Sequence, residues 1–236
     1  MDSNGSGVQQ LTFNATDDDK AAWSPNRLQI VFQSARDGDD DIYVMNADST
    51  GQTNITNGSG AAEDAPAWSS SIAFTSNRDG NDEIYVMNSD GTGQTNLSNN
   101  PAASDSGPAW SPDGSKIVFA SALNIWVMNA DGTGLAQRTT DPAADRDPDW
   151  CGGQIVFTSL RDGNPEIYVM NEDGTGQTNR TMNGAVDHDP AWSPDCSKIA
   201  FTSTRGGNSD IWVMNADGQG ATNVTNNAAA DSNPGW

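Results

Sequence analysis

Apolar residues fall in two short clusters that recur along the chain with polar intervals between them. The first is a triplet: Ile30-Val31-Phe32, Ile72-Ala73-Phe74, Ile117-Val118-Phe119, Ile155-Val156-Phe157 and Ile199-Ala200-Phe201. The second is an Ile-aromatic-Val-Met-Asn run starting at Ile42, Ile84, Ile125, Ile167 and Ile211. Both are too short for helices, rich in β-formers and bounded by Gly, Asp, Asn and Ser, so each predicts a strand. Successive side chains of a strand point to opposite faces, and here neighbours are both apolar. Both faces of the sheet must therefore be covered.

The polar intervals are spelled as tight turns. SPDG or SPDC follows a Trp, RDGN or a relative precedes the Ile run, and ADGTG or a relative follows its Asn. Asp and Asn bond their own backbone in such turns, and Gly supplies positive φ. Trp23, Trp68, Trp110, Trp150, Trp192 and Trp236 set the period, with spacings of 45, 42, 40, 42 and 44 residues. A period in this window belongs to solenoids and propellers. Hairpin-linked strands buried on both faces select the propeller: all-β, five-bladed, with four antiparallel strands in each blade and a repeat of about 42 residues.

The reading is of one domain spanning residues 1–236, its five repeats starting near Trp23, Trp68, Trp110, Trp150 and Trp192. Both ends carry extra pieces. Residues 1–12 match 87–98 in role, which makes residues 1–22 a spare outer strand able to close the ring, and residues 221–225 offer a second one. The expectation is that residues 8–13 complete the fifth blade and displace the tail after Ala216. The alternatives are that the C-terminal strand stays in place, or that spare strands pair between chains in a strand-exchanged oligomer rather than a monomer.

Composition alone points elsewhere. A net charge of −21 with only 34% hydrophobic residues would ordinarily signal disorder. The periodic concentration of the apolar residues, with eight Trp, overrides it. The charge disfavours nucleic acid and leaves cations, basic protein surfaces or solubility as its use. No apolar run is long enough for membrane insertion, and the first ten residues do not read as a signal peptide.

The stretches PAWSPDGSKIVFAS, residues 108–121, and SLRDGNPEIYVMNEDGTG, residues 159–176, resemble the repeat of TolB-type β-propellers, relatives of the WD-repeat class. The resemblance covers essentially the whole chain. It implies a periplasmic or extracellular interaction module with a protein or peptide partner.

Among candidate chemistry, the most regular feature is an acid five residues before each Trp: Asp18, Glu63, Asp105, Asp145, Asp187 and Asp231. A ring of such carboxylates could take calcium or magnesium through oxygen ligands. Equally, each acid could cap loop amides at a blade junction, and this reading is preferred because a periodic residue in a repeat usually builds the repeat. No other cofactor is indicated. Arg36, Arg78, Arg161 and Arg205 open turns that run on to Asp41, Glu83, Glu166 and Asp210, and are expected to form local ion pairs. His188 is the single His and no Gly-x-Ser-x-Gly elbow occurs, so a nucleophilic enzyme is not expected. His188 itself reads as a surface residue. Cys151 and Cys196 read as two incidental free thiols, one where most repeats have Ser and one where Gly114 stands. Asn-x-Ser/Thr triplets at Asn54, Asn96, Asn179 and Asn223 belong to the repeat spelling and do not imply glycosylation. The chain is accordingly read as a non-enzymatic binding scaffold, with a cation-binding or purely structural module as the alternative.

Overall fold

A computed structural model describes residues 1, 4–58 and 60–236. Its first sheet holds β1 (Asp18–Trp23), β2 (Gln29–Ser34), β3 (Asp41–Asn46) and β4 (Thr53–Asn54). The second holds β5 (Glu63–Trp68), β6 (Ile72–Ser76), β7 (Glu83–Met87) and β8 (Thr95–Asn96). The third holds β9 (Asp105–Trp110), β10 (Lys116–Ser121), β11 (Asn124–Asn129) and β12 (Ala136–Gln137). The fourth holds β13 (Asp145–Cys151), β14 (Gln154–Ser159), β15 (Glu166–Asn171) and β16 (Thr178–Asn179), and the fifth β17 (Asp187–Trp192), β18 (Lys198–Ser203), β19 (Asp210–Asn215) and β20 (Thr222–Asn223). Strands follow chain order within every sheet, and no helix occurs among the described residues. This is an all-β, five-bladed propeller of four-stranded antiparallel blades.

The chain divides into two compact units, one of residues 10–122 and 127–135, the other of 1–9, 123–126 and 136–236. In the first, the inner strands β1, β5 and β9 neighbour one another, and Val31, Ile42 and Val44 of the first blade pack on Ile72, Phe74, Tyr85 and Met87 of the second. Ile30, Phe32, Tyr43 and Met45 form a separate cluster on the opposite face of the first blade, as the run of apolar neighbours requires. In the second unit, Val156, Ile167 and Val169 of the fourth blade pack on Trp192, Ile199, Phe201 and Met214 of the fifth. The five triplet Phe side chains are all at most 2% exposed, which makes the triplet the centre of each blade.

Two features depart from the sequence reading. The outer strand of the fifth blade is β20, pairing Thr222 with Val213 and Asn223 with Trp212, while residues 8–13 form no strand. The expectation that residues 8–13 take this place is therefore corrected. The C-terminal segment follows β19 through the same Asp-Gly turn as the second, third and fourth blades, so a local hairpin forms without the entropy of bringing in a distant segment. Second, each inner strand breaks register after its second residue, and the third lies in the left-handed region: Lys20, Ala65, Gly107, Asp147 and Asp189 have φ of 48, 49, 61, 51 and 51°. Bulges of this kind re-aim side chains along a strand and were not foreseen from the spelling.

Candidate functional site

In four blades the turn arginine folds back over its own sheet. The guanidinium carbon lies 4.6 Å from the Tyr43 ring centre for Arg36, 4.6 Å from Tyr85 for Arg78, 4.5 Å from Tyr168 for Arg161 and 4.8 Å from Trp212 for Arg205. Nε donates to Ser34, Ser76, Ser159 and Ser203 Oγ at 2.9, 2.9, 2.7 and 2.9 Å respectively. Nη2 reaches the acid that opens the same blade: Asp18 at 3.0 Å, Glu63 at 2.9 Å, Asp145 at 3.0 Å and Asp187 at 2.7 Å. Glu63, Asp145 and Asp187 have fully buried side chains, so these are not the exposed ion pairs that contribute little. The local ion pairs expected from the turns are present, and they serve as clamps closing each first strand onto its second hairpin.

The six periodic acids are thus placed individually. Burial raises the Asp18 carboxyl, but hydrogen bonds from Ser34, Asn14, Thr12 and Arg36 outweigh it and leave the pKa below its ordinary value. Asp187 also accepts from Asn183 at 2.7 Å, and Asp231 accepts from Asn227 at 2.7 Å. Asp105 differs, because Ala122-Leu123 replaces the arginine turn. Buried and facing Glu83, its carboxyl is raised, burial being the larger cause, with the Ser121 and Ser98 hydroxyls opposing. Among the described residues, no three His, Cys, Asp or Glu side chains converge to hold a metal ion.

A raised folded-state pKa means that the unfolded carboxyl ionises first as pH rises. Asp105 therefore favours the folded state most below the ordinary carboxylate range and loses that contribution as pH climbs through its folded value. Asp105→Asn is expected to be more stable than wild type at pH 7 and to lose that advantage at acid pH. Urea unfolding at both pH values checks it, and a destabilised variant at pH 7 would refute it.

The next residue of each arginine turn is the exposed one. Asp37, Asp79 and Asp162 accept from the Tyr43, Tyr85 and Tyr168 hydroxyls of their own blades. Asn54, Asn96 and Asn179 Nδ2 donate to the same carboxylates at 3.2, 2.8 and 2.7 Å. These bonds, the tyrosine's first, hold the three carboxyls below their ordinary pKa. Burial, and then the aspartate, pushes each tyrosine up to about 12. The sequons have the same structural explanation. Asn54 Oδ1 accepts from Thr56 N at 3.0 Å and Thr56 Oγ1 accepts from Ile42 N at 2.9 Å, so the triplet is an Asx turn that ends the outer strand.

His188 is half-buried, with Nδ1 2.7 Å from Asp189 Oδ2, and this bond raises its pKa. The cysteines overturn the free-thiol reading: Cys151 and Cys196 form a disulfide with Cα atoms 5.6 Å apart. The fourth blade explains why. Ser111 and Ser193, the residues after Trp in the third and fifth blades, accept the N–H of Lys116 and Lys198 at 2.9 Å inside a full-length first turn. In the shortened hairpins of the second and fourth blades, that residue faces the next blade instead. A Cβ on Gly114 would lie 2.8 Å from Ser69 Oγ, and Cys196 occupies the turn position of Gly114 opposite Cys151. The 45-residue separation, one repeat, was the available signal.

Residues 106–189 match the family model described as the TolB beta propeller domain. No curated protein sequence matches the chain. Among solved structures, the fold is similar to TolB from Acinetobacter baumannii, at 19% identity over 99% of this chain and 60% of that one, with a TM-score of 0.88. It is also similar to a protein described as a TolB from Agrobacterium tumefaciens, at 19% identity over 91% and 82%, TM-score 0.79. Oligogalacturonate lyase from Vibrio parahaemolyticus superposes less closely, at 13% identity over 91% and 67%, TM-score 0.63. At these identities the likenesses show the fold alone. Residues 106–189, which run from the third blade into the fifth, match the TolB-type β-propeller repeat, and over the rest of the chain the likeness to TolB structures is one of fold.

Proposed function

We propose that the chain is a non-enzymatic scaffold that binds a basic protein or peptide segment through the channel face carrying its arginine turns. The observation behind this reading is the set of exposed carboxylates Asp37, Asp79 and Asp162, each fixed by a tyrosine hydroxyl and an asparagine amide. An acid held in place loses little side-chain freedom on meeting a cation, and a net charge of −21 steers basic partners toward the chain. Against catalysis, the lone His is held by Asp189 and both Cys are spent in the disulfide. The disulfide also favours a periplasmic or extracellular setting, where such bonds persist. Among the described residues, no helix is long and apolar enough to cross a membrane.

Fluorescence anisotropy with labelled Arg- and Lys-rich peptides tests the proposal. The variant Asp37→Asn/Asp79→Asn/Asp162→Asn should weaken binding about tenfold, and added salt should weaken the wild type likewise. Binding insensitive to both, or none, would sink it.

In this reading the periodic acids Asp18, Glu63, Asp145 and Asp187 serve their blades and not a calcium or magnesium ion, because a guanidinium already neutralises each. The melting midpoint in millimolar calcium or magnesium is expected to equal that in EDTA. A rise of several degrees would restore the cation-binding alternative, since linkage raises the midpoint when the folded state binds the ion.

A further inference from the structure

The joint between the fourth and fifth blades is built differently from its counterparts. Between the second and third blades, Trp110 Nε1 donates to Ala67 O at 3.2 Å. Beyond the fifth blade, Trp236 Nε1 donates to Ala191 O at 3.0 Å. Between the fourth and fifth, Asp149 stands where those blades have Ala67 and Ala191, and the buried Trp192 Nε1 has no hydrogen-bond partner; neither has Trp150 Nε1. The Asp149 carboxylate instead takes the Trp192 N–H at 2.7 Å and the Trp150 N–H at 2.8 Å. A buried indole donor without a partner, that of Trp192, beside a carboxylate with no cation on it, makes this seam weak. The disulfide crosses the same seam.

We propose that the Cys151–Cys196 bond is a redox-controlled fastener of this one joint, so that reduction opens the seam between β13 and β17 while the joint between β5 and β9 stays closed. Cys196 is half-buried, in a turn whose Pro194 and Asp195 are exposed, which gives a reductant access. The reductant is a dithiol. Its thiolate attacks Cys196 Sγ and expels the Cys151 thiolate, its second thiol then displaces Cys196, and the donor leaves as a disulfide. Two electrons and two protons pass to the protein, which ends with two thiols. A disulfide acceptor reverses the sequence.

Hydrogen exchange with mass spectrometry on the full chain tests this, comparing the oxidised protein with protein held in dithiothreitol. Reduction should speed exchange of residues 145–151 and 187–193 about tenfold or more, leaving 63–68 and 105–110 unchanged. The variant Cys151→Ser/Cys196→Gly carries the residues found at Ser69 and Gly114 and should still fold. It should exchange rapidly at the seam with or without dithiothreitol. Asp149→Ala, in the reduced state, should regain slow exchange because an alanine there lets the Trp192 indole bond as Trp110 does. Unchanged exchange at the seam on reduction, or an equal rise at every inner strand, would overturn the proposal. So would a reduced Asp149→Ala chain that exchanges as fast as the reduced wild type.

Discussion

Arg161→Met is expected to lower the free energy of unfolding by about 3–5 kcal/mol, the cost of leaving a buried charge without its partner. The Asp145 side chain is fully buried while that of Arg161 is 17% exposed, so methionine fills much of the space but strands the carboxylate. The same substitution removes the bonds to Ser159 and Gln177 and the packing over Tyr168. Two comparisons isolate the charge. Arg161→Met/Asp145→Asn should recover most of the loss, because no ion remains to desolvate. Lys20→Met removes a pair whose side chains are 36% and 34% exposed and should cost under about 1 kcal/mol. Urea unfolding of the four proteins gives the answer. If Arg161→Met costs no more than Lys20→Met, the arginine turns are surface decoration and not clamps.

These clamps show what the sequence made legible. Strand positions, blade number, turn chemistry and the arginine–acid pairing all lie within one repeat, and five near-copies in one chain allow each to be read by comparison. What escaped reading involves contacts one repeat apart or a single aberrant copy. Cys151 and Cys196 each look like drift within their own column of the repeat; the disulfide links the residue after one Trp to the first turn of the following blade, a relation between columns. Asp149 is likewise one acid in a column of alanines, and its burden, the unpartnered Trp192 indole, belongs to the neighbouring blade. Residues 1–12 and 221–225 spell the fifth outer strand equally well, so spelling alone leaves its occupant open. Chain connectivity decides between them, since β20 needs only a short turn after β19. As for the site, the period makes the six acids visible, but the exposed Asp37, Asp79 and Asp162 look in sequence like ordinary turn residues. Their tyrosine bonds connect the turn to the far end of the next strand's aromatic, a relation that spacing does not display.

Removing the disulfide should have the other large effect. A link spanning 45 residues restricts the unfolded chain enough to stabilise the fold by about 4 kcal/mol in the chain-entropy account. Reduced wild type should lose this amount. Cys151→Ser/Cys196→Gly should lose less, about 3 kcal/mol, because Cys196 sits at φ 58° and glycine there relieves a conformation that costs an L-residue about 1 kcal/mol. The order of the three denaturation midpoints is therefore oxidised wild type, then the double variant, then reduced wild type. Each number tests a different physical step: the first gap measures the cross-link less the relief, and the second measures the left-handed cysteine alone. A double variant less stable than the reduced wild type would mean that serine and glycine disturb the joint themselves. Coincident oxidised and reduced midpoints would mean that the unfolded chain is already so compact near these blades that the bond removes little freedom from it.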